Sequence, residues 1–470
     1  MLSKVLDYFG LRERKPRHFV AWFLVLAFSL FTYLYFEALD YKLEEPTAEK
    51  GSLLPFFSFD VWFVIFTVGL FLFDAFLMFF AIKYFKAKQK WPFMIVGAVF
   101  LVFASITLFV FPGVIKDGVV IYQLSTGKMF QYLAATLMVF VSIYLFITII
   151  PQMIKDRNYY NLFFVIAIAV GLIGTIYSYI AEGDVYWRLF TEPHPYDVPQ
   201  SFTNNRNVYA FILVIAMVSE AYLIIKNNWV LHWILFFFFF FNTLFTLSKT
   251  SIIMSFAFFS VFVVWRTIMI INKHPVRALI FFALMIAGAG AFLIIALTPI
   301  EEDSFMRLPH TFFEYLIDDL PSLNGHSFGT RINCFNQAKE SLSTNDITAF
   351  FGFGYMNWQH GLYGYFDNRY VAMDVAFAVD LLQFGVPGFI FSAALWTYAF
   401  FNDGLLYKHK SAFAGVTLLT LVVLLARTVT EAGDFTFPNL TGVVYYLMVL
   451  CPMLTELGLY KNEKAPLVEA

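Results

Sequence analysis

The sequence predicts an all-α polytopic membrane protein of about 12 transmembrane helices, and three observations predict it. Only 14% of the 470 residues are charged and 60% are hydrophobic, against about 25% charged in soluble domains. The apolar residues fall in runs of about 20, the length that crosses a bilayer as a helix. The basic residues cluster on alternate connections: 19 of the 31 Lys and Arg lie on segments that share one side if the N-terminus is cytoplasmic. That asymmetry puts both termini inside. The net charge of −2 says nothing about partners.

Taken in order, the expected spans are 18–39, 59–82, 92–111, 130–151, 160–181, 207–225, 229–247, 250–270, 278–299, 374–402, 411–427 and 440–459. The first follows a basic stretch (Arg12, Arg14, Lys15, Arg17) but is longer than a signal-peptide core of roughly 7–15 residues, so it reads as an uncleaved span. The seventh and eighth are joined by the tight turn Thr246-Leu247-Ser248-Lys249. Residues 1–299 thus carry helices 1–9. Residues 300–373 form one large external loop with short helices, and 374–470 carry helices 10–12 and a short cytoplasmic tail. Within the loop, Met306–Leu320 has the spacing of a surface helix. Thr330–Leu342 reads helical with Ile332, Phe335, Ala338 and Leu342 on one face, and Phe351-Gly352-Phe353-Gly354 reads as a turn. Cys334 and Cys451 fall at different depths, so no disulfide is expected. The phenylalanine runs, such as 236–241, read as lipid-facing filler.

The absent motifs narrow the chemistry. There is no Walker phosphate loop, no dinucleotide glycine pattern, no paired-cysteine zinc spacing and no His-Glu-x-x-His. No cofactor and no metal are expected, and nucleic acid is not among the partners. Ionisable groups at the external face are the candidates that remain. Arg331 opens a loop helix, and a guanidinium grips phosphate oxygens in bidentate fashion. It equally suits a solvated arginine pairing with Glu340. Arg206, at the mouth of the sixth span, and Lys249, at the tight turn, lie at the same depth. Three such cations suit a diphosphate, and they also suit interfacial snorkelling. Asp374, where the loop enters the tenth span, is either a general base or a helix N-cap. His360 is the rival base or a surface residue. Inside the spans, Glu220 and Arg266 fall near cytoplasmic ends, where snorkelling accounts for them. Asp74 is nearer mid-span, and Arg427 reads as a partner of Glu431 and Asp434.

Several stretches resemble, in order, the O-antigen ligase and polymerase family of bacterial membrane glycosyltransferases. Ser201 to Ala210 is similar to the family's Asn-containing entry to a span. Thr246-Leu247-Ser248-Lys249 resembles its Thr-x-Ser-Arg turn, with Lys249 in place of the usual Arg. Arg331 through Phe335 and Ala338 resembles its Arg-x-x-x-aromatic-x-x-Ala helix start. Gly352-Phe353-Gly354 and Gly385-Val386-Pro387-Gly388 match its Gly-x-Gly and Gly-x-x-Gly elements. The resemblance covers roughly residues 200 to 400. Its ligases place a His eleven residues before the first Gly of the last element, and here that position is Asp374. The polymerase branch's arginine-led, glycine-ending loop motifs are not found at their spacing.

The resemblance implies a multi-pass enzyme of the bacterial cytoplasmic membrane. It would join an undecaprenyl-diphosphate-linked glycan donor to a glycan acceptor at the outer face, for surface polysaccharide biosynthesis, as a polymerase or alternatively a ligase. A chain-length regulator and a flippase are the implied protein partners. In that reading Arg331, Arg206 and Lys249 hold the diphosphate, and Asp374 or His360 takes the acceptor's proton. A polysaccharide or lipid transporter is the rival from another class. It lacks an internal two-fold repeat and spans broken by Gly or Pro in matched halves.

Overall fold

The structure, a computed structural model, describes residues 16–43, 59–110, 113–116, 119–123, 125–154, 158–191, 197–203, 205–271, 328–343, 346–354, 365–366, 375–409, 411, 413–430 and 440–463, with isolated positions 276, 283 and 290. The chain is helical. Among the described residues, seven helices are long and apolar enough to cross a membrane, and four shorter apolar helices accompany them. All eleven fall on expected spans. The ninth expected span, 278–299, and the surface helix expected at Met306–Leu320 lie outside the described residues.

The chain divides into two compact units. The first takes Met1–Tyr160, Thr330–Ser411 and Thr428–Ala470. It begins with the helices α1 (Pro16–Leu43), α2 (Phe59–Phe85), α3 (Trp91–Val110) and α4 (Thr126–Met153). A hairpin of β1 (Gly113–Lys116) and β2 (Val119–Gln123) joins α3 to α4. The hairpin was not expected. Its strands are rich in Val, Ile and Tyr, and Asp117-Gly118 stands between them in the sequence, a pair that favours hairpin turns. The short turn between α2 and α3 is tied to α4: the Lys88 N–H donates to Gln152 Oε1 at 2.7 Å, and Gln152 Nε2 donates to the Lys88 carbonyl at 2.8 Å.

The inward face of α2 is the stripe Phe63, Leu70, Asp74, Leu77 and Ala81, all buried. Spacings of three, four and seven put these residues on one side of a helix. Asp74 therefore faces the interior of the unit, and both its carboxylate oxygens are buried with no hydrogen-bond partner among the described residues.

Two π-helical turns face each other in this unit. One is Leu145–Ile149 within α4. The other is Tyr445–Leu450 within α14, which runs as Leu440–Val444, that turn, and Cys451–Glu463. Each ends two residues before a proline, Pro151 and Pro452. A proline has no N–H for the carbonyl four residues back, and its ring pushes that carbonyl away. The ladder relaxes into a wider turn. The rings of Phe146 and Tyr446 stack at 4.9 Å, and Cys451 Sγ donates to the Phe146 carbonyl at 3.2 Å. Cys334 and Cys451 are both free thiols, as expected.

The second unit takes Asn161–Gly329 and Ala412–Arg427. It contains α5 (Asn158–Ala181), the short α6 (Gly183–Thr191), α7 (Arg206–Asn227), α8 (Val230–Phe245), α9 (Lys249–Ile271) and most of α13 (Ala414–Thr430). Its core is α7, where all 16 side chains from Tyr209 to Ile224 are buried. A helix apolar all round is a central one. The phenylalanine run of α8 is only partly filler. Phe236, Phe239 and Phe240 are buried and Phe241 is exposed, with Phe240 stacked on Phe259 at 4.3 Å. One helix face points inward whatever the run's composition, so a continuous run must serve both sides. Glu220 is fully buried, and His232 Nδ1 lies 2.7 Å from its Oε2. Snorkelling does not describe it; a paired interior carboxylate does.

Glu220→Ala leaves that histidine nitrogen buried without its partner. It is expected to cost about 1–3 kcal/mol, whereas the double change Glu220→Met with His232→Leu is expected to cost less. Thermal unfolding of the detergent-solubilised protein checks both.

Candidate functional site

Each unit gathers part of the expected constellation. In the first unit the organising feature is the break in α12 (Ala376–Lys408). Gly385 there has φ 61° and ψ −149°, and Pro387 follows within the helix. Pro387 has no N–H for the Gln383 carbonyl, and the turn at Gly385 diverts the chain next to it. Two carbonyls are left without intrahelical donors, and the glycine turn supplies them. The Phe353 N–H donates to the Leu382 carbonyl at 2.6 Å, and the Gly354 N–H to the Gln383 carbonyl at 2.9 Å. The turn follows α11 (Asp346–Phe351), which packs against α12 and α3. The approach is backbone on backbone. A Cβ on Gly385 would lie 2.1 Å from the Phe350 carbonyl oxygen, and one on Gly352 would lie 2.6 Å from the Gly385 nitrogen. The two glycine elements read separately in the sequence are therefore one contact.

Arg331 sits in the first turn of α10 (Phe328–Leu342), close to the start expected at Thr330. One face of α10 packs into the same cluster: Cys334, Ala338 and Leu342 meet Phe353, Val375, Ala378, Val379 and Leu382. The expected face was only half right. Ala338 and Leu342 are buried, but Ile332 and Phe335 are exposed, and Cys334 takes the inward place. Glu340, the alternative partner of Arg331, accepts a hydrogen bond from the Tyr365 hydroxyl at 3.3 Å.

Asp374 and His360 lie outside the described residues, as do the side chains of Arg331 and Lys249. The chain after Asp374 is described. Val375 is fully buried in the cluster and is itself the N-cap of α12, with extended φ −124° and ψ 114°. The capping position thus falls one residue after Asp374. Asp380, fully buried in the first turns of α12, is a carboxyl that the sequence reading did not single out. It lies within a long apolar run, and its burial gives it away only in three dimensions.

In the second unit, two helix starts carry cations. Asn205 caps α7 by accepting from the Asn207 and Val208 N–H groups at 2.9 and 3.3 Å. Arg206, the first residue of α7, is exposed. Lys249 is the first residue of α9, after a turn in which Leu247 has φ 49°. Ser248 Oγ donates to Asn207 Oδ1 at 2.9 Å, so the two starts are bonded to each other. Helix N-termini present partial positive charge and free N–H groups. Arg206, exposed at the first residue of α7, adds to that charge, an arrangement that draws anions.

A further cation belongs to this unit. Arg427 is only 6% exposed, and its guanidinium lies 3.9 Å from the centroid of the Phe211 ring, five residues along α7 from Arg206. The partners expected for it, Glu431 and Asp434, lie outside the described residues. A cation over a buried ring leaves no mark in one sequence, because Phe211 is one of 62 phenylalanines. Among the described residues no group of three or more His, Cys, Asp or Glu side chains could hold a metal ion.

Gly352→Ala and Gly385→Ala each place a methyl group against backbone, at positive φ. Each is expected to destabilise the chain by at least ~1–3 kcal/mol from overpacking alone. Gly404→Ala, in the same helix with open space around it, is expected to be neutral or to gain up to about 1 kcal/mol. Unfolding temperatures of the purified variants check the contrast.

No protein-family model, curated protein or solved structure matches the chain.

Proposed function

We propose that the chain is a twelve-span glycosyltransferase of the bacterial cytoplasmic membrane with both termini cytoplasmic. It polymerises undecaprenyl-diphosphate-linked oligosaccharide units at the outer face for surface polysaccharide. The observation that carries this reading is the bond between the two basic helix starts, Asn207 to Ser248. It joins the two helix starts that carry Arg206 and Lys249, from two expected motifs, within one unit. An anionic group is the ligand such starts suit, and a lipid-linked diphosphate is the anion that a membrane enzyme meets at that depth.

The chemistry then follows. An acceptor hydroxyl oxygen bonds to the donor's anomeric carbon, and the bond from that carbon to the diphosphate oxygen breaks. The hydroxyl proton passes to Asp374, with His360 as the rival base. The departing lipid diphosphate takes the bonding electrons, and Arg206, Lys249 and Arg331 stabilise its charge. The diphosphate is a good leaving group, so the reaction needs no nucleotide. The docking of α10 and the glycine turn on α12 supports a shared role for Arg331 and Asp374, since it fixes the Arg331 helix to the residue that follows Asp374. A ligase differs only in its acceptor. A chain-length regulator and a flippase are the protein partners this role implies.

Arg331→Ala is expected to lower polymer formation by about 10²–10³, the size of effect seen when one charge-stabilising donor is removed, with the protein still present in the membrane. Gel analysis of surface-glycan chain length reads the result, and normal chain length in that variant would overturn the assignment. In a deletion strain, loss of long chains identifies a polymerase, while finished chains that remain unattached identify a ligase.

A further inference from the structure

The segment leading into Arg206 is held by a single carboxylate. Glu182, just after α5, accepts from the Gln200 N–H at 3.2 Å and the Ser201 N–H at 3.0 Å, and from the Ser178 hydroxyl. Ser178 Oγ also lies 3.0 Å from the Tyr186 hydroxyl of α6. With the Ser178 proton given to Glu182, Tyr186 is the donor in that contact. Burial pushes the Tyr186 phenol above its usual value, which keeps it a donor. Ser201 is pinned a second time, by its Oγ donating to the Gly174 carbonyl at 2.7 Å. It is a non-glycine residue at φ 55°, a conformation that persists only where its surroundings hold it.

From there the bonding runs without a gap to the basic helix starts. Thr203 Oγ1 donates to the Gln200 carbonyl at 2.6 Å, and the Asn205 N–H donates to Thr203 Oγ1 at 3.4 Å. Asn205 caps α7 at Arg206, and Asn207 accepts from Ser248 beside Lys249. All of these residues belong to the second unit.

We propose that Glu182 is a positioning residue for the anion site. It holds residues 200–203 and the cap at Asn205 so that Arg206 is set before a diphosphate arrives. This rests on the reading of Arg206 as a diphosphate ligand. The physical basis is preorganisation: a segment already ordered loses no further freedom on binding. Three donors converge on the Glu182 carboxylate. A glutamine in its place keeps the shape but turns an NH2 group toward N–H donors, and the latch opens.

The test is binding of undecaprenyl diphosphate to the purified full chain in lipid nanodiscs. Glu182→Gln is expected to weaken binding about tenfold, the equivalent of one lost charge-assisted hydrogen bond, with little change in unfolding temperature. Amide exchange at Gln200 and Ser201 is expected to quicken in the same variant. Ser178→Ala, which removes one donor and leaves the carboxylate, is expected to shift both readouts the same way by less. The double variant Glu182→Gln with Arg206→Ala is expected to bind no worse than Arg206→Ala alone, because Glu182 acts through Arg206. Additive losses, or Glu182→Gln binding as tightly as the parent while Arg206→Ala does not, would overturn the positioning role. An Arg206→Ala chain that binds as the parent does would overturn the anion site itself, and the role of Glu182 with it.

Discussion

The constraint on which the first unit depends is the break in α12. A helix interrupted by proline exposes carbonyls, and within an apolar surrounding nothing but protein can satisfy them. Here the donors are the amides of Phe353 and Gly354, and they reach the carbonyls of Leu382 and Gln383 only because Gly352 and Gly385 carry no side chain. That contact fixes the glycine turn, and through Phe353 it fixes the packing of α10 against α12. The placement of the Arg331 helix thus follows from an unmet hydrogen bond some 50 residues later in the chain. The same logic recurs at the paired π turns, where Cys451 Sγ takes up the Phe146 carbonyl.

The second unit works by a different balance. Its central helix, α7, is buried along nearly its whole length, so its position is set by packing, while its first turn is set by polar bonds. Arg206 at the N-terminus of α7 runs against the helix dipole. Such an arrangement costs stability in the free protein, and an anion there would offset it. Arg427, laid on the face of Phe211, brings a further positive charge to the same helix. A nearly buried guanidinium is costly unless it is well accommodated, and a ring face is one such accommodation.

How far this was legible in the sequence depends on the kind of interaction. Runs of about 20 apolar residues state their own structure, since backbone in lipid must bond within its own helix. The seven long helices and four shorter ones fell where the runs were. The glycine turn at 352–354 was legible too, because glycine spacing signals backbone geometry. Its docking site was not. Nor was the inward face of α10, where Cys334 and not Ile332 or Phe335 points to the core. Hydrophobicity ranks those residues the other way, and the decision lay in which face of the helix meets the cluster around Phe353 and Val375.

Glu220 and Glu182 show the same division between local and distant information. Each sits near the end of a helix, where a carboxylate reads as an ordinary polar residue. One is buried against His232, and the other gathers amides about 18 residues further along the chain. The sequence by itself determined where the apolar membrane-length helices lie and that Arg206, Lys249 and Arg331 fall near helix starts, because helix formation over long apolar runs is a local property. Only the tertiary structure decided that the starts of α7 and α9 are bonded together, that two glycine elements are one contact, and that a carboxylate holds the approach to Arg206. Those depend on distances between segments far apart in the chain, which no periodicity records.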